Sequence, residues 1–232
     1  MVISHKHKFF FLKTYKTAGT SIEIFLSRHC GENDVFTPVR PHVSPHRAKN
    51  HKSFWNILPD MRDILRERES VIRRSLGLTK RFFQRMKFRP HMPGPLVMRR
   101  VSKDIWDNYY KFCVERNPWD KTMSHFYMLK GRSDNNLTLD EYFERGDFCI
   151  NYPIYTSDGE VIVDRVIQYE QLHNNLGEVF SRVGVPYDGS LGVRAKSGDR
   201  EKESYREALS DEQARTIQSV FQKEIDLHGY SY

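Results

Sequence analysis

Phe9-Phe10-Phe11-Leu12-Lys13-Thr14-Tyr15-Lys16-Thr17-Ala18-Gly19-Thr20-Ser21-Ile22-Glu23-Ile24-Phe25-Leu26 is the stretch on which the reading of this chain turns. Its apolar run has the length of a buried strand. The polar loop after it leads straight into apolar residues at helical spacing, so the order is strand, loop, helix. Backbone N–H groups at a helix N-terminus have no intrahelical partner and sit at the positive end of the helix dipole, which favours an anion there. Lys13 and Lys16 add charge, Thr17, Thr20 and Ser21 add hydroxyl donors, and Ala18 and Gly19 add backbone. A helix start capped by threonine and serine, with no ligand, is the plainer alternative. The loop is not the nucleotide loop of ATPases, which needs G-x-x-x-x-G-K-[ST]. Here the lysine comes before the loop's one glycine.

A second segment repeats the arrangement. Lys111-Phe112-Cys113-Val114-Glu115 reads as a buried strand and runs into Arg116-Asn117-Pro118-Trp119-Asp120-Lys121-Thr122-Met123-Ser124. Pro118 suits the first turn of a helix. Arg116 leaves the strand end and Ser124 lies about two helical turns further on, so both can face one anion.

These two segments resemble those of sulfotransferases that use 3′-phosphoadenosine 5′-phosphosulfate (PAPS). K-T-x-G-T-S is similar to the family's 5′-phosphosulfate loop. R-N-P with a serine eight residues after the arginine is similar to its 3′-phosphate segment. The likeness is nearest to carbohydrate sulfotransferases of the heparan sulfate 2-O-sulfotransferase type and to small bacterial enzymes of that group. Trp106-Asp107-Asn108-Tyr109-Tyr110, the Val163–Leu172 stretch and the aromatic ending Phe221–Tyr230 also look familial. Tyr15 departs from the pattern, because many members carry proline before the lysine. The resemblance implies a P-loop-like α/β fold with a central parallel sheet of four or five strands and helices on both faces. Strands are expected at Lys8–Leu12, Phe112–Glu115 and Val163–Gln168, and helices at Thr20–His29, Trp119–Leu129, Leu139–Arg145, Leu172–Val183 and Ser210–Leu227.

The resemblance also implies roles. Lys16 would be catalytic at the departing oxygen, and Lys13, Lys16, Thr17, Ala18, Gly19, Thr20 and Ser21 would hold the 5′ end of PAPS. Arg116 and Ser124 would hold its 3′-phosphate. Lys196 and Arg200, in a basic loop, would make later contacts. His91, followed by Met92, stands where related enzymes place the general base; His42, followed by Val43, is the alternative. The acceptor would be a carbohydrate or glycolipid hydroxyl.

At 232 residues the chain suits a single domain over 1–232. No apolar run is long enough to cross a membrane, and Phe9–Leu12 is too short for a signal-peptide core. Both observations suggest a cytoplasmic protein. Cys30, Cys113 and Cys149 show no C-x-x-C spacing, and no His/Cys cluster has zinc spacing, so no metal is expected.

Charge is unevenly spread. Residues 40–103 carry 17 Lys and Arg against 4 Asp and Glu, while the rest of the chain carries 20 against 26. This segment reads as a basic, mostly helical insertion or cap. Three readings stay open for it: a solvated face, contact with an anionic acceptor, or peripheral contact with the inner membrane. Nucleic acid is not expected, because no familiar recognition motif is present. Two other functions compete with sulfuryl transfer, namely a P-loop-like nucleotide kinase and a non-catalytic module that binds polyanions.

Overall fold

The computed structural model describes residues 1–39, 88–132, 136–192 and 204–232. Most of the basic segment (residues 40–87, with His42), Lys196 and Arg200 lie outside the described residues.

The described chain begins with strands β1 (Val2–Ser4) and β2 (Phe9–Phe11), helix α1 (Gly19–Leu26) and the short strand β3 (Val35–Phe36). Helices α2 (Gly94–Met98) and α3 (Lys103–Asn108) lead into strand β4 (Tyr110–Glu115) and helix α4 (Pro118–Lys130). Helices α5 (Leu139–Arg145) and α6 (Tyr152–Tyr155) precede a small hairpin, β5 (Thr156–Ser157) and β6 (Glu160–Val161). Strand β7 (Arg165–Gln168) and helix α7 (Leu172–Arg182) follow, then α8 (Tyr205–Ala208), α9 (Asp211–Val220) and α10 (Gln222–His228).

Five strands form the central sheet in the order β3-β1-β2-β4-β7. The three strands expected from sequence, β2, β4 and β7, are its parallel part. An antiparallel edge is added by β1 and β3, which the sequence reading did not include. Side chains alternate across the sheet because successive strand residues point to opposite faces. Phe9, Phe11, Phe112 and Val114 pack on one face with α1 and α7. Phe10, Leu12 and Cys113 pack on the other with Val97, Trp106 and Ile154 of α2, α3 and α6. The protein is thus an α/β fold with helices on both faces of a mostly parallel sheet. Phe88 and Met92, inside the segment read as a cap, belong to this second core.

One expected helix is two. The run from Ser210 to Leu227 breaks at Phe221, whose backbone (φ −107°, ψ 22°) separates α9 from α10. The Phe221 ring is wholly buried, with the Lys121 ammonium 4.6 Å above it.

Parallel pairing of β2 with β4 carries the functional consequence. Phe11 stands opposite Phe112, and the Leu12 N–H donates to the Phe112 carbonyl at 2.9 Å. The loop after β2 and Arg116 after β4 therefore leave the same edge of the sheet side by side. Ligands of open α/β sheets bind at this carboxyl edge.

Candidate functional site

A cleft of about 970 Å³ opens at that edge. It brings together the whole loop from Lys13 to Ser21, His91, Arg116 and Ser124. The chain thus converges four separate sequence predictions on one cavity. Met128 and Arg132 of α4, Tyr169, Leu172 and His173 around the start of α7, and the turn Gly189–Gly192 complete its lining. None of these carries a site motif in the sequence.

The loop is held open by backbone conformation. Lys16 and Ala18 both take positive φ (60° and 57°), a region that costs an L-residue about 1–2 kcal/mol. Ala18 is the N-cap of α1 and makes no side-chain cap, so the first-turn amides face the cleft without an intrahelical acceptor. The Thr20 hydroxyl, on the cleft wall, has no partner among the described residues. Thr17 differs: its buried hydroxyl shares a hydrogen bond with Thr14 Oγ1 at 2.7 Å, so it braces the turn from within.

Lys13 is engaged as well. Its ammonium pairs with the buried carboxylate of Glu23, which also accepts from Thr37 Oγ1 at 2.8 Å and from the amino group of Met1. To reach Glu23, the Lys13 stem runs over Gly19. A Cβ at Gly19 would lie 2.8 Å from Lys13 Cγ. Gly19→Ala is therefore expected to destabilise the fold by about 1–3 kcal/mol. A thermal melt within 1 °C of wild type would show that the stem can move aside.

Arg116 leaves β4 nearly buried. Its Nε donates to Asp120 Oδ2 at 2.7 Å, its Nη2 lies 2.6 Å from the same oxygen, and its Nη1 donates to the Lys16 carbonyl at 3.0 Å. The guanidinium also lies 4.4 Å from the Tyr169 ring centroid. Three of its five N–H groups are used in this way, and the other two have no partner among the described residues. The R-N-P sequence explains the local geometry. Asn117 caps α4 by accepting from the N–H groups of Trp119 and Asp120, and Pro118 takes the first helical position. Two turns on, Ser124 faces the same cleft.

His91 sits across the loop with positive φ (58°). Its Nδ1 lies 3.1 Å from the Lys13 carbonyl. A carbonyl only accepts, so Nδ1 carries the proton and Nε2 keeps its lone pair. Tyr15, the residue that departs from the family pattern, stacks on this imidazole at 3.9 Å and 10°. Burial, with the Lys13 charge second, lowers the His91 pKa to about 3. His125, one residue beyond Ser124, is lowered to about 4 by burial and then by Lys16.

These two shifts set a pH dependence of stability. Below the ordinary histidine value of 6.5 the unfolded chain takes up protons that the folded chain excludes. Stability is therefore whole above pH 6.5 and falls as pH drops towards 4, by up to about 1.4 kcal/mol per pH unit for each histidine. The melting temperature is expected to fall between pH 7.5 and pH 5, and a His91→Gln/His125→Gln variant to fall less. Parallel curves for the two proteins would refute the assignment.

Comparison with known proteins adds the following. An uncharacterized protein of Archaeoglobus fulgidus is 32% identical over 124 residues, which is 51% of this chain and 100% of that protein. The chain belongs to the same family as this archaeal protein. No family model matches the sequence. Among solved structures, a sulfotransferase from Alicyclobacillus acidocaldarius aligns over 96% of both chains with a TM-score of 0.40 and 14% identity. That likeness is too remote to carry weight for the site. Among the described residues no helix is long and apolar enough to cross a membrane, and no three His, Cys, Asp or Glu side chains are grouped to hold a metal ion.

Proposed function

We propose that the protein is a sulfotransferase, moving a sulfuryl group from PAPS to a hydroxyl of a carbohydrate or glycoconjugate. One observation carries the reading. The α1 N-terminus with Lys16, and Arg116 with Ser124, are separated by about a hundred residues yet line one cleft. Two anion-binding ends in a single cavity suit a nucleotide with phosphates at two positions. The Thr20 hydroxyl and two guanidinium N–H groups of Arg116, without partners among the described residues, are the donors such a ligand needs.

In this reading Thr20, Ser21 and the first-turn amides hold the 5′-phosphate, while Arg116 and Ser124 hold the 3′-phosphate. Lys13 shapes the loop through Glu23 rather than by direct charge alone. The bound nucleotide supplies an activated sulfuryl group. Lys16 places positive charge where negative charge develops on the departing oxygen. His91, neutral at pH 7 with Nε2 unprotonated, takes the proton of the acceptor hydroxyl, although burial and the Lys13 charge make it a weaker base than an ordinary histidine. The acceptor would be an anionic glycan or glycolipid, in keeping with the excess of Lys and Arg in the sequence between the two motifs.

Calorimetric titration with adenosine 3′,5′-bisphosphate, beside adenosine 5′-phosphate and ATP, tests the reading without knowing the acceptor. The bisphosphate is expected to bind at least about tenfold more tightly than adenosine 5′-phosphate, because Arg116 and Ser124 add a charge-assisted anion contact. Equal affinities, or a magnesium-dependent preference for ATP, would sink it. Radiolabelled PAPS with a panel of glycans then identifies the acceptor.

A further inference from the structure

A buried amide on the far side of the loop deserves a function that the cleft alone does not assign to it. Asn151 is fully buried, 136 residues after Tyr15. Its Oδ1 accepts from the Tyr15 N–H at 2.7 Å, and its Nδ2 donates to the Tyr15 carbonyl at 3.2 Å. The same Nδ2 donates to Glu115 Oε1 at 3.0 Å. Glu115 is itself locked, taking the Lys121 ammonium at 2.8 Å, the Arg116 N–H at 3.0 Å and the Tyr155 hydroxyl at 3.1 Å.

The Tyr15 carbonyl belongs to the peptide group before the Lys16 Cα, and the Lys16 carbonyl to the peptide group after it. Asn151 holds the first, and Arg116 holds the second at 3.0 Å. Both restraints are anchored on consecutive residues at the end of β4, Glu115 and Arg116. With each flanking peptide pinned, the positive φ of Lys16 is imposed by its surroundings, as unfavourable backbone must be if it is to persist.

We infer that Asn151 is a positioning residue for Lys16: it imposes the left-handed loop backbone that aims the Lys16 side chain at the 5′ end of the bound nucleotide. The inference rests on the sulfotransferase reading. Asn151 touches no ligand in this scheme and acts only through the loop.

A double-mutant cycle tests it by binding rather than turnover. Lys16→Ala is expected to weaken affinity for adenosine 3′,5′-bisphosphate about tenfold, the worth of a charge-assisted contact. Asn151→Ala should weaken it by a similar factor in the wild-type background and by less than twofold in the Lys16→Ala background. Neither change should move affinity for adenosine 3′-phosphate, which calls only on Arg116 and Ser124. Asn151→Ser keeps a small neutral polar side chain without the amide's paired donor and acceptor, and it carries the same cycle if the alanine variant unfolds. Additive losses, or an equal loss of adenosine 3′-phosphate, would overturn the inference while the functional reading stands. A wild-type protein that does not bind the bisphosphate would overturn both.

Discussion

On the proposed sulfotransferase reading, Lys16→Ala is expected to lower the rate of sulfuryl transfer by about 10²- to 10³-fold, the usual cost of removing one preorganised group that meets developing charge. Affinity for adenosine 3′,5′-bisphosphate should fall only about tenfold, because the first-turn amides, Thr20, Arg116 and Ser124 remain. The split between the two numbers is the informative result. A lysine that merely attracted an anion would lose ground-state binding and rate together, whereas one acting on the departing oxygen loses more rate than binding. Arginine at this position should not restore full rate, since a planar fork cannot reproduce a point charge on a flexible stem. Single-turnover measurements with labelled PAPS and an identified acceptor, set beside calorimetry, make the comparison. Equal losses in rate and affinity would reduce Lys16 to an anion-binding residue.

The second large effect lies beneath the loop. Lys121 and Glu115 are both fully buried and joined at 2.8 Å. Removing one member of a buried ion pair leaves the other charge without its counter-charge, which costs about 3–5 kcal/mol. Lys121→Met is therefore expected to lower the melting temperature by roughly 10 °C, on the usual scaling for a chain of this size. The double variant Glu115→Gln/Lys121→Met should recover part of the loss, because neutralising both partners removes the desolvated charge that the single change exposes. Circular-dichroism melts of the two variants decide the matter. A single variant within 1 kcal/mol of wild type, or a double variant worse than the single, would show that the pair is not a unit. Since Glu115 also anchors Asn151, the single variant should disturb the loop at Tyr15.

Much of the architecture was readable because it rests on local pattern. Three consecutive phenylalanines and a leucine, followed at once by a polar loop, have the length of a short buried strand. Glycine, threonine and serine before a 3.6-residue period mark a helix start, and Asn117-Pro118 marks another. The strands β1 and β3 escaped notice because three and two residues are too few to show a period. They exist through long-range backbone pairing, β1 with β2 and β3 with β1. The break at Phe221 escaped for a related reason: the apolar period continues through it, while the backbone leaves the helical region at this buried residue.

The candidate site divides in the same way. Lys16, Thr20, Ser21, Arg116 and Ser124 could be named from residue type and spacing, and His91 only through the family resemblance; the fold sets all six around one cleft. Which of the remaining groups face a ligand and which face the protein was not readable. Lys13 and Thr17 have the same chemistry as their neighbours, yet Lys13 pairs with Glu23 and Thr17 bonds Thr14. Asn151, Tyr169, Arg132 and His173 carry no motif at all, and only chain folding brings them to the loop or its cleft.

By itself, then, the sequence determined two strand–loop–helix units, each ending a buried strand in cationic and hydroxyl side chains, because hydrophobic period and capping chemistry act over a few residues. Tertiary structure alone decided that the two units stand side by side, since parallel pairing of β2 with β4 is a contact across about a hundred residues. It also decided that Lys16 is held in a left-handed backbone, because Asn151 and Arg116 reach its two flanking peptide groups from more than a hundred and about a hundred residues away.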